Sequence, residues 1–253
     1  MRILITSPTF PPENSGLGNA AYAMSEVFNS MGYDVTVATS KKSDASKDYH
    51  NYPVKRFNCE GSLTLRNPIR GETKLFTNWV ASENFDFIIC HAWHCWSTEL
   101  LLLHKMQIKS KIILCSHGTA HSLFFTNKFL HSSFRRFNYL PFLIKRKRLY
   151  DAVDILVCLN SRGEEKRFLD FPDFVERGTP VRIIPNLVLE NDKISDVNKK
   201  VDNYFISVGS YDWMKGHARI LRAYAKSKAY NRVGLKFYGQ SKTSHLDYLI
   251  RLA

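Results

Sequence analysis

The order of elements in the first forty residues constrains the fold of this chain more than any other feature of its sequence. An apolar run at residues 2–6 leads through a proline-rich stretch into Gly16 and Gly18. Apolar residues at three- and four-residue spacing then extend from Leu17 to Met31, a pattern typical of a helix with one buried face. A glycine ends this pattern, and residues 34–39 are typical of a second strand. Strand, helix and strand in this order predict a βαβ unit and a parallel sheet.

The same alternation continues along the chain. Apolar runs at 85–90, 111–115 and 154–158 are typical of strands buried on both faces, and residues 97–105 show a helical pattern. Two further strands are predicted at 204–209 and 233–239, and two further helices at 216–228 and 242–252. The polar stretch at 41–52 predicts a surface loop.

We therefore expect an α/β fold in which residues 1–186 form a Rossmann-like parallel sheet domain, residues 187–202 a linker and residues 203–253 the start of a second Rossmann-like domain. Two strands and two helices cannot cover both faces of a parallel sheet, so we expect this second domain to be truncated. The alternative is a single domain with a C-terminal βαβα extension packed on the first sheet.

Composition favours a globular cytoplasmic protein. A chain of 253 residues with 44% hydrophobic content can bury a substantial core. No apolar run approaches the ~20 residues that span a bilayer, and the N-terminus begins with a strand instead of a signal peptide. Five cysteines, several inside apolar strands, predict reduced and buried thiols, which fit the cytoplasm.

The formal net charge of +13 predicts an anionic partner. Lysine and arginine alternate with aromatic residues in the segment from Phe125 to Arg148, which contains no acidic residue. This composition suits an anionic membrane surface, and such a partner would place the protein at the inner face of the cell membrane. The alternative, a solvated basic helix packed on its own domain, stays open. No recognition motif for nucleic acid is present, so we expect no nucleic-acid partner.

The glycines before the first helix are candidate ligand-binding residues. Gly16 and Gly18 allow close approach of a ligand, and the Asn19 amide would lie at a helix N-terminus, which favours anions. The alternative is a turn that needs positive φ and binds nothing. Residues 16–21 also match the dinucleotide fingerprint, but two prolines precede the glycines and no acid follows the second strand, which disfavours a dinucleotide-dependent oxidoreductase.

Three histidines follow predicted strands. His117 lies at the carboxyl end of one strand, where open α/β sheets bind ligands, although a lone histidine there is also a common structural residue. Two cysteines and two histidines between Cys90 and Cys95 suggest zinc, but Cys90 and His91 point to opposite faces, so we expect no metal site. His91 and His94 remain candidates for a binding cleft.

Several motifs, in order along the chain, resemble those of family four glycosyltransferases. The opening unit matches in its double proline, glycine turn, Met-Gly-Tyr-Asp at 31–34 and Val-Thr-Val at 35–37. Further matches are Ser116-His117-Gly118, Ala152-Val153-Asp154, Ile183-Ile184-Pro185-Asn186, and Val208-Gly209 followed by Lys215-Gly216.

The resemblance implies a GT-B architecture, with the acceptor bound by the N-terminal domain and the nucleotide sugar by the C-terminal domain. It implies that Gly16 and Gly18 lie beside the donor diphosphate, and that His117 lies near the transferred sugar as a catalytic residue. Lys215 matches the lysine that pairs with the diphosphate, and Gly216 opens the next helix toward it. Gly209 is the strand glycine, but Ser210 stands where the family usually has arginine.

The resemblance further implies a retaining transferase that needs no metal or other cofactor and uses a nucleotide-diphosphate sugar as donor. The acceptor would be a glycan or a lipid-linked molecule in the biosynthesis of a polysaccharide or glycoconjugate such as lipopolysaccharide. The family's pair of glutamates has no match before Ala253, so we expect the chain alone to be inactive. The alternative is a non-catalytic module that binds a glycan, lipid or protein partner.

Overall fold

The computed structural model describes residues 1–13, 15–41, 50–119, 134, 136–159, 170–189, 203–239 and 244–253. Most of the predicted surface loop, most of the predicted linker, and residues 125–133 and 135 of the basic aromatic segment lie outside the described residues. The chain divides into two compact units, Met1–Asp192 and Lys193–Ala253. The assignment of residues 1–186 to the acceptor and of residues 203–253 to the donor stays a prediction.

The strands of the first unit form one large parallel sheet and a small antiparallel hairpin. The strands are β1 Arg2–Thr6, β2 Asp34–Ser40, β3 Val54–Phe57, β4 Cys59–Glu60, β5 Arg70–Gly71, β6 Phe87–His91, β7 Lys111–Ser116, β8 Ile155–Cys158 and β9 Val181–Ile183. The large sheet has the order β3-β2-β1-β6-β7-β8-β9 with every pair parallel, and β4 pairs antiparallel with β5.

Helices cover both faces of this sheet. They are α1 Gly16–Ser30, α2 Thr73–Ser82, α3 Trp96–Leu103, α4 Leu140–Asp151 and α5 Asp170–Glu176, with a short 3₁₀ helix at Lys105–Gln107. On β1, Leu4 packs in the cluster that includes residues of α2, α3, α4 and α5, whereas Ile3 and Ile5 pack with α1 on the opposite face. Because apolar side chains fill both faces, polar chemistry is confined to the strand ends.

The cysteines belong to this core. All five are free and buried. Burial raises the pKa of Cys90, Cys115 and Cys158 to about 12, so these thiols stay protonated at neutral pH. The prediction of buried thiols is confirmed, and their reduced state stays a prediction.

Asp154, which ends one of the quoted motifs, has a structural role. Its Oδ2 accepts hydrogen bonds from the Ile112 amide at 2.8 Å and from the Lys105 ammonium at 2.7 Å. Asp154 therefore ties the start of β8 to β7 and to the 3₁₀ helix.

The second unit is a smaller α/β arrangement. It contains β10 Tyr204–Val208, β11 Gly234–Tyr238, α6 His217–Ser227 and α7 Ser244–Leu252, with 3₁₀ helices at Trp213–Lys215 and Ala229–Asn231. β10 and β11 are parallel. Phe205, Ile206 and Val208 on β10 are 53%, 56% and 75% exposed, whereas the apolar residues of β1 are buried. The described helices of this unit therefore leave apolar side chains of strand β10 exposed.

The predicted α/β fold is confirmed, with strand ends within two residues of those expected. The elements not predicted from the sequence are β3, β9, the β4–β5 hairpin, α2 and α5. β3 is a short edge strand that carries Lys55 and Arg56, so it lacks the continuous apolar run of a central strand. None of the described helices is both long enough and apolar enough to cross a membrane.

Candidate functional site

Two of the predicted histidines meet where β6 and β7 end. His91 is the last residue of β6, and His117 directly follows β7. The Nδ1 atom of His91 lies 3.3 Å from Nε2 of His117, and the ring centroids are 5.6 Å apart. Carboxyl ends of adjacent parallel strands form the ligand-binding edge of open α/β sheets. This histidine pair is therefore the candidate site of the first unit.

Both imidazoles of the histidine pair are neutral at neutral pH. His91 is 1% exposed, and burial together with the neighbouring His117 lowers its pKa to about 3. Burial also lowers the pKa of His117. His91 forms part of the wall of a cavity of about 130 Å³, and side chains of α1 such as Met24 and Phe28 make much of the rest apolar. The apolar wall explains why protonation of His91 is disfavoured.

The contact between the two rings assigns their tautomers. The Nε2 atom of His91 is buried and has no hydrogen-bond partner among the described residues. A proton on this atom would be a buried donor without an acceptor, which is costly. We therefore assign the proton of His91 to Nδ1, which donates to Nε2 of His117. Neutral His117 then carries its own proton on Nδ1 and can donate a hydrogen bond from that atom.

A buried carboxylate that the sequence analysis missed lies behind the two histidine loops. Asp170, the first residue of α5, is fully buried, and burial raises the pKa of its carboxyl group. Its Oδ2 accepts hydrogen bonds from Ser116 Oγ at 2.5 Å and from Trp93 Nε1 at 2.8 Å. These partners lie 54 and 77 residues away, so no local pattern in the sequence could indicate them.

His94 does not join the histidine pair. Its ring packs against Tyr139 and Phe142 with centroid distances of 4.9 and 4.5 Å, and its Nδ1 lies 3.7 Å from Oε1 of buried Glu99. These contacts place His94 among α3, α4 and the residue that precedes α4. The expectation that His94 lines the same cleft as His91 receives no support from these contacts.

The helix start places the candidate glycines differently from the expected turn. Gly16 and Gly18 lie within the first turn of α1, and neither is among the residues with positive φ. Gly18 is required for close packing instead, because an added Cβ would come within 3.0 Å of the Thr9 carbonyl oxygen. The alternative of a turn that needs positive φ is therefore wrong for both glycines.

The expectation that the Asn19 amide faces a ligand is also wrong. Asn19 N–H donates to the Ser15 carbonyl at 2.8 Å, and Gly18 N–H donates to Ser15 Oγ at 2.9 Å. Ser15 thus caps the helix, and the amides at the open end of its first turn are those of Gly16 and Leu17. A role for Asn19 in binding stays a prediction and would depend on its exposed side chain.

In the second unit, the predicted donor residues lie in one turn between β10 and α6. The aliphatic stem of Lys215 lies beside Gly209, since a Cβ added to that glycine would come 3.5 Å from Lys215 Cγ. Gly216 has a φ of 73° and caps α6, a conformation that favours glycine. Lys215 therefore lies next to the N-terminus of α6. The positive end of the helix dipole repels the lysine ammonium, and an anion bound between them would offset this repulsion.

Ser210 weakens the positive character of this turn. Where the family usually has arginine, the Ser210 hydroxyl donates to the Asp212 carboxylate at 2.5 Å. The turn thus holds a carboxylate as well as its lysine. In the parts of the chain that the structure describes, no group of three or more His, Cys, Asp or Glu residues could hold a metal ion. The prediction that no metal is needed stays a prediction.

A family model described as Glycosyltransferase Family 4 matches residues 14–189 of the chain. No curated protein sequence gives a significant match. Solved structures are similar along nearly the whole chain. For the sucrose-phosphate synthase from Thermosynechococcus elongatus, the TM-score is 0.65 at 15% identity, and the match covers 99% of this chain and 67% of that one.

Two further structures are similar in the same way. An alpha-glucosyltransferase in complex with UDP and a 13-mer DNA gives a TM-score of 0.63 at 14% identity, covering 99% of this chain and 60% of that one. The catalytic domain of starch synthase IV from Arabidopsis thaliana, bound to ADP and acarbose, gives 0.56 at 10% identity, covering 99% and 70%. These likenesses show a GT-B fold built of Rossmann-like domains, and the chain spans 60% to 70% of the length of the three proteins.

The lowered pKa of His91 predicts how stability changes with pH. Its folded pKa of about 3 lies below the unfolded value of about 6.5, so the unfolded chain binds the proton first as pH falls. The free energy of unfolding should fall by about 1 to 2 kcal/mol between pH 6.5 and pH 5 because of His91. Urea denaturation across this range measures the loss, and a His91→Gln variant should lose less. An equal loss in both proteins would contradict a neutral, buried His91.

Proposed function

This chain belongs to glycosyltransferase family 4, and from that membership we propose that it transfers a sugar from a nucleotide-diphosphate sugar to a glycan or lipid-linked acceptor. The observation that carries the proposal is the histidine pair at the ligand-binding edge of the sheet, with Nδ1 of His91 3.3 Å from Nε2 of His117. Two of the structural neighbours have UDP or ADP bound, which supports a nucleoside-diphosphate donor for this chain as well.

The proposed reaction retains the anomeric configuration. The bond from the sugar C1 to the donor diphosphate oxygen breaks, its electron pair stays on the diphosphate, and the acceptor hydroxyl oxygen bonds to C1 on the same face. The proton of that hydroxyl passes to the departing diphosphate. Negative charge develops on the departing diphosphate, so the protein has to supply donors and cations at that group. This chemistry needs no bound metal, and we propose that none is used.

His117 is the proposed catalytic residue beside the transferred sugar. With Nε2 accepting from His91, the Nδ1–H of His117 is a neutral donor for a sugar hydroxyl or for the reacting region. A neutral donor suits this position, because it stabilises charge that develops on oxygen without carrying a buried positive charge before the reaction.

In the second unit, Lys215 and the N-terminus of α6 are the proposed contacts of the donor diphosphate. In the first unit, the amides of Gly16 and Leu17 are proposed donors to an anion. Lysine is a point charge and cannot form the bidentate contacts of arginine. The family pattern has two cations in this turn, an arginine and a lysine. Here Ser210 replaces the arginine and is hydrogen-bonded to Asp212, so that of these two cations only the lysine is present. We therefore expect weak donor binding by this chain.

The second candidate function is a non-catalytic module that binds a glycan, lipid or protein partner. The turn at Ser210 favours this second function. A diphosphate would need a cation at this position, but the residue is a serine that is hydrogen-bonded to a carboxylate. Donor binding separates the two functions, because a module of this kind has no use for a nucleotide sugar.

We also propose that the first unit docks on an anionic membrane surface. Phe137, Leu140 and Ile144 recur at three- and four-residue spacing and are 63%, 41% and 72% exposed. Met106, 94% exposed, lines the same groove as Ile144 and Lys147. Exposed apolar side chains among lysines and arginines suit an interface with anionic lipid, where they would approach a lipid-linked acceptor. This would place the protein in the cytoplasm at the inner face of the cell membrane.

Donor binding tests the proposed function. Calorimetric titration of the chain with uridine and guanosine diphosphate sugars should give saturable binding to at least one of them. A Lys215→Ala variant should weaken this binding by about 10-fold or more, because one charge-assisted contact is lost. Lys226→Ala, which removes an exposed lysine from the last turn of α6, is the matched control and should bind as the unaltered chain does. A folded chain that binds no nucleotide sugar would overturn the transferase and leave the binding module.

Vesicle flotation tests the membrane surface. The chain should float with vesicles that contain phosphatidylglycerol and remain unbound with phosphatidylcholine alone. Ile144→Glu should reduce binding by about 10-fold, because it removes an apolar side chain from the interface and adds a repelled charge. Met31→Glu makes the same change at a residue that is 62% exposed at the end of α1, and it should bind normally. Equal losses in both variants would exclude α4 as the docking surface.

A further inference from the structure

We propose that Asp170 is a positioning residue that holds the two histidine loops in the arrangement required for transfer. The inference rests on the proposed function, because it assigns Asp170 a role at the same site. Asp170 acts through Trp93 and Ser116, which lie beside the histidines in the chain, and these two hydrogen bonds do not involve either imidazole.

One oxygen atom joins both loops. Oδ2 of Asp170 accepts from Trp93 Nε1 in the loop after β6 and from Ser116 Oγ at the end of β7. Trp93 is two residues from His91, and Ser116 immediately precedes His117. A shift of this carboxylate would therefore move both histidine loops.

The loop after β6 needs such a restraint. Ala92 and His94, on either side of Trp93, have φ angles of 69° and 57°. Side-chain-bearing residues rarely adopt this left-handed conformation, and they persist in it only where the surroundings determine the backbone. The hydrogen bond from Trp93 to Asp170 is one such restraint, and the bond from Ala92 N–H to the Cys115 carbonyl at 3.0 Å is another.

The loop after β7 is fixed on both sides of His117. Ser116 Oγ donates to Asp170 and also accepts from the Gly118 amide at 3.2 Å. Gly118 has a φ of 91°, which turns the chain directly after the histidine. The hydroxyl between the carboxylate and the Gly118 amide therefore determines where the His117 backbone lies.

A carboxylate at this depth is hard to explain by stability alone. Asp170 is fully buried, and its Oδ1 has no hydrogen-bond partner among the described residues. A buried carboxylate is costly, and the neighbouring core is built of apolar side chains that include Trp93, Tyr150 and Phe174. The carboxylate accepts two directional hydrogen bonds from the histidine loops, and an apolar side chain could accept neither.

Asp170→Asn tests the proposal. The new amide oxygen is uncharged and accepts both hydrogen bonds more weakly, and the amide nitrogen brings two donors to the buried position of Oδ1, where the described residues offer no acceptor. In nuclear magnetic resonance spectra with ¹⁵N-labelled histidine, the signature of the His91–His117 hydrogen bond should be lost. The midpoint of His117 titration should rise toward the ordinary value of about 6.5. Affinity for the nucleotide sugar bound by the unaltered chain should fall by about 10-fold.

Asp173→Asn is the matched control, because it makes the same change three residues along α5, where the carboxylate pairs with Arg146 at 3.7 Å. It should leave the histidine spectra unchanged. Trp93→Phe and Ser116→Ala each remove one of the two donors and keep the test decisive if Asp170→Asn does not fold. Trp93→Phe should change the spectrum of His91 more than that of His117, and Ser116→Ala should change the spectrum of His117 more than that of His91.

The histidine spectra separate this proposal from the proposed function, since they need no nucleotide. Unchanged His91 and His117 spectra in folded Asp170→Asn would overturn the positioning role even if the chain binds a donor. Altered spectra in a chain that binds no nucleotide sugar would leave Asp170 as the residue that fixes these loops and would overturn their use in transfer.

Discussion

The parallel register between β6 and β7 is the constraint on which the candidate site of the first unit depends. It sets His91 opposite Cys115, two residues before His117, and so brings two imidazoles from distant segments within hydrogen-bond distance. Because apolar side chains fill both faces of the sheet, the strand ends are where polar groups can gather. Asp170 then joins the loops that leave these two strands through Trp93 and Ser116.

Burial determines the chemistry available at this edge. Desolvation keeps His91 and His117 neutral, so the site offers hydrogen-bond donors and acceptors without fixed charge. The cation that a departing diphosphate requires has to come from elsewhere, and Lys215 in the second unit is the residue proposed for it. Ser210 and Asp212 reduce the positive field at that turn, which makes donor affinity the quantity that distinguishes a transferase from a binding module.

Local patterns predicted the fold well because the central strands are continuous apolar runs and α1 has a clear apolar face. They failed for β3, whose charged residues suit a sheet edge, and for the Asn19 amide, which Ser15 capping commits to the helix. They identified His91 and His117 as separate candidates, but the contact between them depends on strand pairing. Asp170 could not be found in this way, because its partners are 54 and 77 residues distant and only the folded sheet unites them.

The role of His117 is tested by following its ring by nuclear magnetic resonance while the chain is titrated with a nucleotide sugar that binds it. If His117 lies beside the transferred sugar, its ring resonances shift with the dissociation constant found by calorimetry. The corresponding nucleoside diphosphate, which lacks the sugar, shifts them much less. Full occupancy by the nucleotide sugar with unchanged His117 resonances would contradict a catalytic role for His117, because the transferred sugar would then not lie beside its ring.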